Sequence, residues 1–138
     1  MLTRKEKKIK IVHIIAALNV GGTEMMLYKL LPRMRKDRFE NIVFTLKENG
    51  SLSKDFEFQN IRVYNVLGMG GVSRVTTLIK SLNILRQINP DLIQGWLAHG
   101  NLVAKIASIF LPYRLSTLWN IRYTAFRKRK QSDQFYLL

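Results

Sequence analysis

The sequence predicts an α/β fold: a doubly wound, mainly parallel sheet of the Rossmann-like kind. Three observations predict it. Short β-branched runs alternate along the chain with stretches of helical apolar spacing. The segments between successive strands are long enough to be crossover helices, which parallel strands need and hairpins do not. Glycine, proline and asparagine mark the ends of these segments, at Gly21-Gly22, Asn49-Gly50 and Asn89-Pro90.

Taken in order, Lys10 to Ala16 is a β-branched run bounded by charge before it and by Asn19 and two glycines after it. Such a run suits a strand buried on both faces. From Thr23, the residues Met26, Leu27, Leu30, Leu31 and Met34 follow the spacing of an amphipathic helix, with a kink or a tightened last turn expected at Pro32. Asn41 to Leu46 reads as a second strand closed by Glu48-Asn49-Gly50, and Ile61 to Val66 as a weaker third. After the glycines at 68, 70 and 71, Val75, Leu78, Ile79, Leu82, Leu85 and Ile88 form one stripe on a long helix that Asn89-Pro90 stops. Asp91 to Trp96 is the fourth strand. A helix follows with Leu102, Val103, Ile106, Ala107 and Phe110 as its expected inner face, and Leu115 to Ile121 is the fifth strand.

Size and composition narrow the possibilities further. A chain of 138 residues is one ordinary domain and buries about 68% of its unfolded surface. The 47% hydrophobic and 23% charged content is that of a globular protein. The absence of cysteine excludes disulfides, thiolate metal sites and a cysteine nucleophile, and is compatible with a reducing compartment. No apolar run approaches the roughly 20 residues of a membrane-crossing helix, and Lys8, Lys10 and His13 break the pattern of a secretory signal. The expected location is cytoplasmic, with peripheral contact at the cytoplasmic membrane face as an option.

Charge is the compositional anomaly, at +14. Arg4, Lys5, Lys7, Lys8 and Lys10 stand against Glu6 at one end, and Arg122 and Arg127 to Lys130 stand unopposed at the other. Such clusters attract nucleic acid, anionic lipid or nucleotide phosphates, and equally serve as a solvated tail; sequence does not choose among these.

In a doubly wound sheet the ligand crevice lies beyond the carboxyl ends of the strands, where strand order reverses. That rule selects the loops Asn19–Glu24, Glu48–Ser51, Leu97–Asn101 and Asn120–Thr124. Gly21 and Gly22 stand at the amino end of a helix, where unpaired N–H groups favour an anion and a missing side chain lets it approach. The same pair also suits a plain tight turn, with Thr23 or a neighbour as cap and Glu24 complementing the helix dipole. Neither the G-x-x-x-x-G-K-[ST] loop nor the dinucleotide fingerprint is present. His99, beside Gly100 and Asn101, is placed to donate to a sugar hydroxyl or phosphate, whereas His13 reads as a satisfied core or crevice-wall residue. Two histidines this far apart, with no cysteine and no paired carboxylates, make no metal site, and no nucleophile elbow occurs. Trp96 and Trp119 suit either a stacking surface or the closing of a core. Arg122 would point a permanent cation at the same crevice.

Lys10-Ile11-Val12-His13-Ile14 leading into Val20-Gly21-Gly22-Thr23-Glu24, then Asn89 to Trp96, His99 with Asn101, and Trp119-Asn120-Ile121-Arg122, together resemble the amino-terminal domain of a family 4 glycosyltransferase over residues 8 to 126. The resemblance implies one of the two Rossmann-like halves of a GT-B enzyme, followed here by a basic tail at 127–138. Such an enzyme transfers a sugar from a nucleotide sugar to a glycan or lipid-linked acceptor, with retention, and without a metal or other cofactor. It places Gly21 and Gly22 at the donor diphosphate and transferred sugar, Thr23, Glu24 and Asn101 among the donor- or acceptor-binding residues, His99 as the catalytic residue at the reacting sugar, and Arg122 near acceptor or phosphates. The half that would carry the nucleotide and the family's glutamate pair has no counterpart in these residues, so the expectation is a fragment inactive without a separate carboxyl-terminal domain. A role in surface polysaccharide or lipopolysaccharide assembly follows from the same resemblance. The competing readings are a basic nucleic-acid-binding module, for which no recognised motif exists here, and a nucleotide-binding domain of another enzyme class.

Overall fold

The structure is a computed structural model that describes residues 7–47, 50–66, 73–112 and 114–121. Five strands, β1 (Ile9–Ile15), β2 (Phe39–Thr45), β3 (Arg62–Asn65), β4 (Leu92–Trp96) and β5 (Ser116–Asn120), form one sheet in the order β3-β2-β1-β4-β5. Every pairing is parallel. Four helices cross between them: α1 (Gly22–Leu30), α2 (Ser53–Phe58), α3 (Arg74–Ile88) and α4 (Leu97–Phe110). This is the doubly wound sheet that the alternation of strand and helix predicts, and strand order reverses between β1 and β4.

The pleat of β1 divides the core. Val12 and Ile14 point to one face, where Leu85 and Ile88 of α3 and Ala104 and Ala107 of α4 cover them. Ile15 points to the other face, towards Leu27 of α1, Phe56 of α2 and Trp96. Residues 11 to 15 are all buried, which is why this strand reads as an unbroken apolar run and not as an alternating one. Its start is aligned with β4 by Asp91: its backbone N–H donates to the Lys10 carbonyl, and its carboxylate accepts from the Lys10 N–H at 2.8 Å.

Local chemistry sets the element ends. Pro32 converts the last turn of the first helix into a 3-10 turn over Leu31–Arg33, the tightening its missing N–H predicts. Asn89 ends α3 in the left-handed region (φ 50°), a conformation that asparagine tolerates, with its N–H on the Leu85 carbonyl. Ser73 caps the start of α3 through its hydroxyl.

The structure corrects three readings. Residues 53 to 58, unassigned from the sequence, form α2; its one buried apolar residue, Phe56, is too few to show a period. On α3 the outer members of the stripe, Val75 and Ile79, are exposed, while Ser81 is buried beside Leu85 and Ile88. On α4 the expected inner residues Leu102 and Phe110 are exposed, and the face against the sheet is Gly100, Asn101, Ala104 and Ala107. Small residues let this helix lie close to the strands, which larger apolar side chains would prevent.

Candidate functional site

At the carboxyl ends of β1 and β4 the starts of α1 and α4 come together on either side of the strand-order reversal. Neither helix start has a side-chain cap among the described residues. The cap position of α1 is Gly21, in extended conformation, so it is not Thr23 that caps. The cap position of α4 is Trp96, whose side chain is buried in the core. Two sets of first-turn N–H groups, each at the positive end of a helix dipole, therefore face the same region of the fold.

The two glycines of the first loop differ. A Cβ at Gly22 would meet nothing within 4 Å among the described residues, so neither their crowding nor a left-handed backbone demands glycine there. At Gly21 the carboxylate of Glu24 folds back into the space a side chain would take. The corner is open over Gly22 and lined with negative charge over Gly21. Behind it, Gly50 packs so tightly on the backbone of Leu18 and Asn19 that any side chain would collide, and the Leu52 N–H donates to the Leu18 carbonyl at 3.0 Å. The first two loops are thus joined into one wall.

The segment 97–101 is no loop: α4 begins at Leu97, directly after β4, with Leu97 itself at φ 60°. The absence of a linker forces that residue into a conformation most side chains avoid. His99 is exposed in the first turn of α4 and has no hydrogen-bond partner among the described residues. Asn101 is buried; its side-chain amide donates to the Asn120 carbonyl at the end of β5 (3.4 Å), while its Oδ1 has no partner among the described residues. Gly21, Gly22, Thr23, Glu24, His99 and Asn101 accordingly lie at one end of the sheet. Arg122 and residues 123 and 124 lie outside the described residues, as do Glu48 and Asn49 and the basic run 127–130.

His13 belongs to the core beneath this site. Trp96 Nε1 donates to its Nδ1 at 3.4 Å, so the ring proton is on Nε2, which donates to Asn41 Oδ1 at 3.1 Å. Burial pushes its pKa down to about 4, against the opposing effect of hydrogen bonds to Asn41 and Gln94. Sequence reasoning missed this triad of His13, Asn41 and Trp96, because three strands contribute one member each. Trp119, by contrast, is half-exposed on the edge strand β5, opposite Gly95. Among the described residues no group of three His, Asp or Glu side chains converges as a metal site would require, and no helix is long and apolar enough to cross a membrane.

No protein-family model matches the sequence, and no curated protein matches it. Solved structures do resemble the fold. A glycosyltransferase from Rickettsia africae superposes with a TM-score of 0.61 at 13% identity, over 85% of this chain and 31% of its own. A protein described as a UDP-N-acetylglucosamine 2-epimerase, from Listeria monocytogenes, gives 0.51 at 16% identity, over 80% of this chain and 31% of its own. The chain thus spans about a third of the length of either. At these identities the likeness shows a shared Rossmann-like fold.

Proposed function

We propose that this chain is the acceptor-side lobe of a GT-B glycosyltransferase of family 4 type, acting on a nucleotide sugar. The observation that carries the reading is the open corner over Gly22, at an uncapped helix start beside the strand-order reversal. In the reaction, the bond from the sugar's anomeric carbon to the diphosphate breaks, one to an acceptor hydroxyl oxygen forms, and the hydroxyl proton passes to the departing diphosphate. The leaving nucleoside diphosphate gains negative charge, which N–H groups at the starts of α1 and α4 would stabilise, on this reading without a metal. His99 would donate to the transferred sugar, Asn101 would hold the first turn of α4 in place, and Arg122 would approach the phosphates. Retention of anomeric configuration and a glycan or lipid-linked acceptor of surface polysaccharide assembly complete the proposal.

Among the described residues the crevice is walled on one side only, which would leave the donor hydrated on the other, so the reading includes a second lobe that closes over it. The shared fold of much longer sugar-handling proteins supports this part of the reading. The test is to titrate the chain with UDP-, GDP- and ADP-sugars while following backbone amide resonances, and then to add a carboxyl-terminal lobe and assay sugar transfer. Shifts confined to Gly22–Glu24 and the first turn of α4, with transfer on adding the lobe, are expected. Tight, steeply salt-dependent binding of RNA or DNA with no donor-induced shift and no transfer would overturn the reading in favour of a nucleic-acid module.

A further inference from the structure

The end of the sheet opposite the crevice gathers positive charge from three separate parts of the chain. Lys7 and Lys8 precede β1, whose first N–H donates to the Arg38 carbonyl at 2.8 Å. That bond lays them beside the turn Arg35-Lys36-Asp37-Arg38, which leads into β2. Arg62 opens β3 on the far side of β2. Lys8, Lys36 and Arg62 line one hollow of about 340 Å3. Of the acids at this end, Asp37 pairs with Arg35, Glu40 with Arg62 and Asp91 with Lys7, while Glu57, exposed beside Phe58, lines the adjoining hollow with Asn60 and Arg62. Lys8 and Lys36 have no acidic partner among the described residues, and both are exposed.

Phe58, 84% exposed, is the last residue of α2, two residues before Asn60 in the chain. Asn60 and then Ile61 turn the chain into β3 and line the same hollow. An aromatic side chain held almost wholly in water at a helix end is costly unless something covers it. The rest of α2 supplies no such cover, because its apolar anchor, Phe56, points into the core.

We propose that this end face docks on an anionic lipid bilayer, with Phe58 entering the boundary between headgroups and acyl chains and Lys8 and Lys36 taking lipid phosphates. Basic side chains on one end face, with an exposed aromatic two residues along the chain from the hollow they line, match the chemistry of such an interface: charge attracts the headgroups and the ring occupies the boundary. The groups sit on tips of turns at one end of a layered domain, a shape that meets a flat surface. A nucleic-acid duplex would instead call for an element projecting into a groove, and helices end here without projecting. Docking this way leaves the crevice pointing into water, roughly 20 Å away across the length of the strands. It does not depend on the identity of any sugar donor.

The test is co-sedimentation of the full chain with phosphatidylcholine vesicles prepared with and without phosphatidylglycerol. Binding only to the anionic vesicles, weakened by salt, is expected. The double substitution K8E/K36E should lower affinity roughly tenfold or more, and Phe58→Ser should lower it several-fold while leaving the salt dependence in place. All the altered side chains are exposed, and an unchanged melting curve checks that the fold is intact. A variant neutralised at Arg127, Lys128, Arg129 and Lys130 should retain most of its binding. Equal binding by the parent and both variants, loss only on neutralising 127–130, or duplex DNA or RNA bound in place of vesicles would each overturn the proposal.

Discussion

The backbone of Asn101 lies so close over Gly95 that a Cβ at position 95 would come within 2.6 Å of the Asn101 Cα and N. One helical residue before, Gly100 packs directly on the Ile14 carbonyl. These two contacts seat the first turn of α4 on β1 and β4, and so set where His99 stands relative to the α1 corner.

Gly95→Ala should therefore destabilise the protein by about 1–3 kcal/mol or more, because the atoms it meets are backbone atoms of a helix and cannot rotate away. Urea unfolding followed by circular dichroism measures this. An unchanged midpoint would mean that α4 is free to shift outward.

Gly22→Ala carries the opposite expectation for stability. With open space at the position and a helical backbone, alanine should be neutral or stabilising by up to about 1 kcal/mol. Nucleotide-sugar affinity should fall, since the methyl group occupies the approach to the α1 start. Equal affinity in calorimetric titration, alongside an intact fold, would place the donor elsewhere.

Glu24→Gln separates the two roles of that side chain. Losing the charge from the first turn should cost about 0.3–1 kcal/mol of stability through the helix dipole. It should also raise the affinity of pyrophosphate for the corner, because the carboxylate now folded over Gly21 repels an incoming anion. Weaker pyrophosphate binding would instead make Glu24 a ligand contact.

His13 gives stability a defined pH window. Its pKa is near 6.5 when unfolded and about 4 in the fold, so between those values the unfolded chain binds the extra proton. The stabilisation from keeping the ring neutral is complete above about pH 6.5 and is lost as pH falls towards 4. Its full size is on the order of 3 kcal/mol. His13→Gln should remove this slope from melting temperatures recorded between pH 7 and pH 4.5. A slope that survives the substitution would assign it to other groups.

The five strands were legible because each is a short segment with turn residues or proline near its ends, and β1, the β-branched run among them, showed its double-sided burial directly. The long helices were legible as elements, but their facing was not. Leu102 and Phe110 fit an apolar stripe as well as any inner residue, yet Gly100, Asn101, Ala104 and Ala107 face the sheet. Closeness of approach, and not hydropathy, chose that face. For the same reason Asn101, read as a loop residue, became a buried tie to Asn120.

At the candidate site, the placement of Gly21, Gly22, His99 and Asn101 at one end of the sheet was readable from the rule for doubly wound folds. The difference between the glycines was not, because it depends on where the Glu24 side chain folds. The basic end face was likewise hidden, since Lys8, Lys36 and Arg62 are remote in sequence and meet only through parallel pairing of β1, β2 and β3.

The order and kind of the five strands and the three longer helices, and hence the doubly wound topology, follow from sequence alone, because apolar periodicity and turn chemistry are local; the short α2 does not. Which residues share a surface was decided by the tertiary structure. Helix rotation, side-chain folding and strand adjacency depend on shape complementarity between segments distant along the chain, and no local pattern encodes that.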